Sequence, residues 1–459
     1  MRLKPRLTAT EHVGAPAGSG AGEWLATAPP IEDPPIAMPS IWRRVRRDAV
    51  WLGGGSFAIV AAQLGFRSIL VVVLVPASYG RLSLILSLYN TVFLIGASGL
   101  PNSVARYISV SNPSEDAGIV RSAIRAGVWP TGVAAAAIAI VAGLLLETPV
   151  AGLLAAIGLS SMVYSLLTAG ILRGRGRVAA AASIQPIAAV AEVGPLAVLW
   201  LSGVTLTPLS AFAVFCAGNV VGLLAGVVCT ARSAPAPAPR ASTDAIPSPR
   251  ELLGFSMWLG AATIGVAVMP LIMRFAAALD SYAVVAVVDV ALVLLSVPQR
   301  VGTVIVQAVI PHATRALRGS RLGLTISPKE HLVMVLPFVV LAAVVAFTPA
   351  VGSLFSLLGR PGYAKGADYL ALALLAGPAR VLYGLVQGIL VAHGDGRFLA
   401  RNSLTITAVA SAAIFAAAAL GSTKVAFVAF VIACWAVYVR GLARVRHLDE
   451  AGTLTPSAG

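Results

Sequence analysis

Six ionisable residues stand inside long apolar runs and are the first candidates for chemistry. Four are arginines, Arg67, Arg274, Arg300 and Arg380, and two are acids, Asp289 and Glu192. A charge at mid-depth in a bilayer costs at least ~3 kcal/mol, so such groups face the bundle interior or a wet cavity rather than lipid. Guanidinium groups gathered in one cavity would bind an anion, and phosphate matches their planar fork. Arg274 lies near the end of its run, where snorkelling to the interface competes with an inward role. Asp289 and Arg300 are eleven residues apart. That is about three helical turns, so they share a face but are too distant to pair directly. Asp289 and Glu192 are therefore candidates to bind a coupling cation or proton, with a structural interhelical pair as the alternative.

Weaker signals accompany these. Asn90, Gln185 and Asn219 read as interhelical hydrogen-bonding residues. Pro270, Pro298 and Pro378 lie near the arginines, where each would kink its helix and free a carbonyl. Gly222 and Gly226 form a GxxxG pair suited to close helix packing. Cys216, Cys229 and Cys434 all fall in apolar runs without metal-ligand spacing and read as small buried residues. The five histidines are scattered. No phosphate-binding GKS or GKT loop, HExxH, CxxC or GxSxG is present, so the reading is non-enzymatic, with no metal and no cofactor.

The elements that must position these residues follow from composition. The chain has 459 residues, 58% of them apolar and 11% charged, with a mean hydropathy of +0.89. A soluble domain carries roughly 25% charged residues, and a water-soluble fold of this size could not bury so much apolar surface. In lipid every backbone amide needs an internal partner, which leaves helices or a closed barrel. The apolar runs are helix-length, Ala- and Leu-rich, and do not alternate. Twelve are expected, near 49–75, 79–100, 123–146, 149–172, 178–202, 207–230, 252–276, 282–310, 330–355, 367–392, 398–420 and 424–441. The fold class is thus an all-α polytopic membrane protein.

The net charge of +15 would suggest nucleic acid on a soluble chain. Here the basic residues sit in short loops between apolar runs, the topology signal of a membrane protein, and nucleic-acid binding is not expected. Alternate loops hold Arg106 and Arg121; Arg173, Arg175 and Arg177; Arg232, Arg240 and Arg250; Arg315, Arg318, Arg321 and Lys329; Arg397 and Arg401. The other loops hold little beyond Arg360, Lys365 and Lys424. This asymmetry predicts both termini in the cytoplasm. Residues 1–40 lack a signal-peptide apolar core and read as a disordered cytoplasmic tail. The cluster Arg43-Arg44-Val45-Arg46-Arg47 follows as a juxtamembrane anchor for anionic lipid.

The chain also repeats itself. Residues 231–250 contain five prolines and no apolar periodicity, and read as a linker between six runs and six runs. Arg173-Gly174-Arg175-Gly176-Arg177 in the first half matches His393-Gly394-Asp395-Gly396-Arg397 in the second. Ser78-Tyr79 joins the first two runs, and Ser281-Tyr282 joins the seventh and eighth. One such turn is generic; two at equivalent places predict a duplication with the same in/out sense, a parallel repeat. The expected layout is an N-terminal six-helix lobe over 41–230, a C-terminal lobe over 251–446 and a short tail over 447–459. Such repeats place a cavity between halves near the bilayer midplane.

At this point the chain resembles the polysaccharide (Wzx-type) flippase family within the superfamily of multidrug, oligosaccharidyl-lipid and polysaccharide exporters. The resemblance rests on PASYGRLSLILSLYNTVFLIGASGLPNSVARYIS (76–109) and LFSLLGRPGYAKGADYLALALLAGPARVLYGLVQGILVAHGDGR (354–397). In layout it covers about residues 45–445. It implies two six-helix lobes in a V with alternating access around a central cavity. It also implies flipping of a polyprenyl-pyrophosphate-linked oligosaccharide across the cytoplasmic membrane, with Arg67, Arg300 and Arg380 engaging the anionic head group. A polysaccharide polymerase and glycosyltransferases are the implied partners, beside membrane lipids. Many relatives reach fourteen helices, and twelve are counted here. The related multidrug antiporters use a first-lobe carboxylate, often in the first helix; the first run here has Arg67 and no acid, while Glu192 keeps a cation-coupled antiporter open. A non-transporting scaffold or a membrane-embedded glycosyl-transfer enzyme is the reading from another class.

Overall fold

Long apolar runs become helices because a bilayer offers no outside partner for backbone polar groups. The computed structural model describes residues 38–97, 99–110, 115–233, 247–316, 328–349, 366–393 and 395–450, with Ser353, Ser356, Leu357 and Tyr363. Among these residues thirteen helices are described: α1 (Met38–Val73), α2 (Pro76–Ala97), α3 (Leu100–Val110), α4 (Asp116–Leu145), α5 (Pro149–Gly174), α6 (Val178–Leu201), α7 (Pro208–Arg232), α8 (Pro249–Ala278), α9 (Tyr282–Ala316), α10 (Pro328–Phe347), α11 (Gly366–His393), α12 (Gly396–Ala419) and α13 (Thr423–Glu450). Eleven are long and apolar enough to cross a membrane, and α10 contributes a shorter apolar stretch, Val335–Phe347. Among the described residues there is no strand.

The expected runs and observed helices agree closely, with a few instructive differences. The second run ends at a break, because Gly99 takes φ +72° and Pro101 follows in the first turn of α3. Its counterpart α9 runs unbroken through Pro298. Six of the eleven membrane-length helices precede the linker and five follow it, with the shorter α10 among the latter. Helix α1 begins at Met38, so the basic cluster after Trp42 lies on the helix rather than ahead of it. Helix α13 continues to Glu450, into the stretch expected as a tail. Most of the 1–40 segment and residues 234–246 of the linker lie outside the described residues, as do the side chains of Arg106, Arg315 and Lys329.

The packing is inside-out relative to a soluble protein. Phe57, Trp129, Leu144, Leu201, Phe347 and Val409 point outward and exposed. The interior is rich in Ala and tyrosine, with Tyr79 and Tyr89 fully buried. Small residues let helix backbones approach closely where no hydrophobic effect drives them together. The first-half helices pack mainly among themselves, α5 against α4, α7 and α3, and α6 against α7. In the second half α11 packs on α9, α13 and α10, and α8 on α12. The halves meet where α2 touches α9 and α8, and where α3 and α4 touch α8.

The two repeated turns are pinned alike with opposite charges. Arg175 grips Asp116 with two bonds, Nη2 at 2.5 Å and Nε at 3.2 Å, and donates from Nη1 to the Thr230 carbonyl at 2.8 Å. Asp395 at the equivalent place accepts from Arg444 Nε at 2.8 Å. The Thr230 and Arg444 bonds tie each turn to the last helix of its half, and the Asp116 pair ties the first turn to α4 as well.

A buried charge cluster between the halves as candidate functional site

The contact between the halves has two ends. We call them the tyrosine end, where the α1–α2 and α8–α9 turns lie, and the linker end. At the tyrosine end α2 and α9 cross so closely that a Cβ on Gly80 would lie 1.7 Å from the Tyr282 carbonyl oxygen. Only glycine permits that approach.

Four helices deliver one charge cluster just inside this crossing. Asp289, two turns into α9, has no exposed surface. Arg274 of α8 donates to its Oδ1 from Nε at 2.8 Å and from Nη2 at 2.5 Å. Arg67 of α1 donates from Nη1 to Oδ2 at 3.0 Å. Tyr79 of α2 donates its hydroxyl to the same oxygen. Arg274 then spends Nη1 on Ser87 Oγ and the Pro270 carbonyl, each at 3.1 Å. The carboxylate thus accepts from both halves of the chain, and the triad of two guanidiniums and one carboxylate carries one net positive charge. A buried charge survives only with such full pairing.

The sequence candidates separate into those this cluster unites and those it leaves apart. Arg67, Arg274 and Asp289 come together; Arg274 turns inward and is 6% exposed rather than snorkelling. Arg300 lies three turns further along α9, half-buried, and Arg380 is buried within the second half. Arg380 donates from Nη1 to the Val266 carbonyl at 3.3 Å and lies over the Phe430 ring at 5.8 Å. That carbonyl is free because Pro270, four residues on, has no N–H to offer it. Glu192 is buried on α6, with Gly218 of α7 so close that a Cβ there would lie 2.4 Å from Glu192 Cγ. It is within electrostatic reach of Arg67, with no ion pair between them. Gln185 does bridge helices, to Ser165 Oγ at 3.1 Å, whereas Asn219 returns to its own Phe215 carbonyl at 3.0 Å. Tyr79 and Ser87 were not singled out as functional by sequence; the paired Ser-Tyr turns were the signal that pointed toward the first of them.

The linker end is held differently. The hydroxyls of Ser103 (α3) and Ser256 (α8) share a hydrogen bond, and Ser122 (α4) donates to the Pro247 carbonyl at 2.7 Å. Both contacts, one between the halves and one from the first half to the linker, are neutral.

Comparison with known proteins identifies the fold. No protein-family model matches the sequence, and no curated protein matches it by sequence. Solved structures do match in shape. The eukaryotic MATE transporter AtDTX14 is 12% identical, with a TM-score of 0.62 over 90% of this chain and 97% of that chain. The inward-facing conformation of a multidrug resistance MATE family transporter of the MOP superfamily is 14% identical, with a TM-score of 0.62 over 90% of this chain and 100% of that one. A MOP superfamily transporter from Pyrococcus furiosus, described by the reverse polarity of its binding pocket, is 15% identical, with a TM-score of 0.57 over 90% and 97%. The chain therefore has the all-helical fold of the MATE transporters of the MOP superfamily.

Proposed function

We propose that this protein is a membrane transporter that flips an anionic, polyprenyl-pyrophosphate-linked oligosaccharide across the cytoplasmic membrane by alternating access. The observation that carries the reading is the triad Arg67–Asp289–Arg274: two arginines from equivalent helices of the two halves, buried on one shared carboxylate. A pyrophosphate offers the same planar, multidentate partner to guanidinium that Asp289 offers now. Cargo arriving from the linker end would take the arginines from Asp289, with Arg300 deeper along α9 as a further cation on its route. Losing that carboxylate loosens the tyrosine end, and the halves rock open there. In this reading the linker end and both termini are cytoplasmic, and the tyrosine end faces outward. The sugar rides in the wet space between the halves and the polyprenyl tail stays in lipid. A polysaccharide polymerase and glycosyltransferases would supply and consume the cargo, and no cofactor or catalytic step is assigned.

A second reading, a cation-coupled multidrug antiporter, is favoured by one observation: Glu192 is a buried first-half carboxylate without an ion-pair partner among the described residues. The multidrug MATE transporters that share its fold point the same way.

The separating experiment is glycan export in cells carrying Arg67→Ala or Arg274→Ala, beside drug efflux in cells carrying Glu192→Gln. The flippase reading expects export to fall at least tenfold with either arginine variant and efflux not to depend on Glu192. Intact export in both arginine variants contradicts it, and efflux lost with Glu192→Gln favours the antiporter.

A further inference from the structure

Arg380 presents a separate problem, because among the described residues no acid pairs with it. Its side chain is buried between α8, α11 and α13, with the residue 6% exposed. Three features define its surroundings. Nη1 is spent on the Val266 carbonyl, at a long 3.3 Å, and the ring of Phe430 lies against the guanidinium at 5.8 Å. Among the described residues Nε and Nη2 make no hydrogen bond, and the neutral Cys434 thiol lies in the same lining. The hydroxyl of Tyr383, one turn further along α11, is also buried without a partner. These groups line a small void completed by Met269, Cys434 and Val437, with room for about one water molecule.

Arginine cannot escape burial by losing its proton. An isolated buried charge is heavily penalised. A site with an uncompensated guanidinium, three idle donors and a void of this size lacks one thing: a small acceptor with a full negative charge. Water would satisfy the donors but not the charge. A phosphate or carboxylate supplies the charge but exceeds the space. We propose that the second half of the chain binds a dehydrated monatomic anion, chloride, held by Arg380 Nε and Nη2 and the Tyr383 hydroxyl. Val266, Met269 and Val437 supply the dry walls that make such a pairing strong. The site is distinct from the Arg67–Asp289–Arg274 triad and stands whether or not that triad carries cargo.

A ligand that binds only the folded state raises its stability in a saturable way. Thermal unfolding of the purified full chain, with chloride titrated against gluconate at constant ionic strength, is therefore the test. The expected result is a Tm that climbs and saturates with chloride, and no such climb in Arg380→Met, which keeps the side chain's bulk without its charge. Tyr383→Phe should retain the chloride response with a half-saturating concentration several-fold higher. Should Arg380→Met fail to fold, that phenylalanine titration and a bromide-grown crystal decide the matter: an anomalous bromide peak against Arg380 is expected. A Tm indifferent to chloride, an equal response in Arg380→Met, or water alone in the void would overturn the proposal.

Discussion

The two ends of the contact between the halves are built from different chemistry. At the tyrosine end, two guanidiniums and a phenol, from α1, α8 and α2, converge on the buried Asp289 of α9. At the linker end, a serine pair and a serine-to-carbonyl bond do the work. Neutral hydrogen bonds contribute about 1 kcal/mol each and are readily exchanged for water. A buried ion pair that loses one member costs about 3–5 kcal/mol, because the other charge is stranded. The linker end is thus cheap to part, whereas the tyrosine end parts easily only when something replaces the carboxylate. An asymmetry of this kind is what a transporter needs if its anionic cargo is to open one gate and not the other.

The sharpest way to break the comparison is Asp289→Ala. It strands Arg67 and Arg274 together, and a loss of about 3–5 kcal/mol is expected, measured as a lowered Tm of the purified protein; adding Arg274→Met should recover part of it. Next comes Tyr79→Phe, which deletes one hydrogen bond to a charged oxygen and should cost about 1.5–3 kcal/mol by the same measurement. Gly80→Ala attacks the crossing itself. Its Cβ must push α2 from α9, and overpacking of that sort costs about 1–3 kcal/mol; a cysteine placed at Ser281 should then react faster with an impermeant thiol reagent. At the linker end Ser103→Ala should cost only about 1 kcal/mol, since Ser256 still donates to its own Leu252 carbonyl at 2.7 Å. The smallest effect belongs to Arg81→Ala. Its partner Glu147 is largely exposed, and surface pairs of this kind contribute about 0–1 kcal/mol. If Ser103→Ala proved as damaging as Asp289→Ala, the contrast between the ends would be lost.

Much of the fold could be read from residue order because a bilayer imposes a length on every apolar run. Each of the twelve expected runs has a helix over it, but the break at Gly99, inside the run expected over 79–100, was not read from the sequence. Arg67, Arg274 and Asp289 were legible as costly charges. Their pairing was not, since Arg67 and Asp289 are 222 residues apart and meet only through the packing of the halves. The snorkelling alternative for Arg274 failed for the same reason: its partner lies on the next helix, facing inward. Tyr79 was hidden because a tyrosine near a helix end reads as an interfacial anchor. Pro270 was read as a kink that frees a carbonyl, but not that Arg380, from another helix, would take it.

The proposed function requires guanidinium groups to exchange a protein carboxylate for a pyrophosphate. The most direct measurement is flipping in proteoliposomes of a labelled short-chain polyprenyl-pyrophosphate oligosaccharide, comparing the unaltered protein with the double variant Arg67→Ala/Arg274→Ala. The predicted result is fast transfer by the unaltered protein and a rate indistinguishable from empty liposomes for the variant, with the variant still folded by Tm. Equal transfer by both would contradict it.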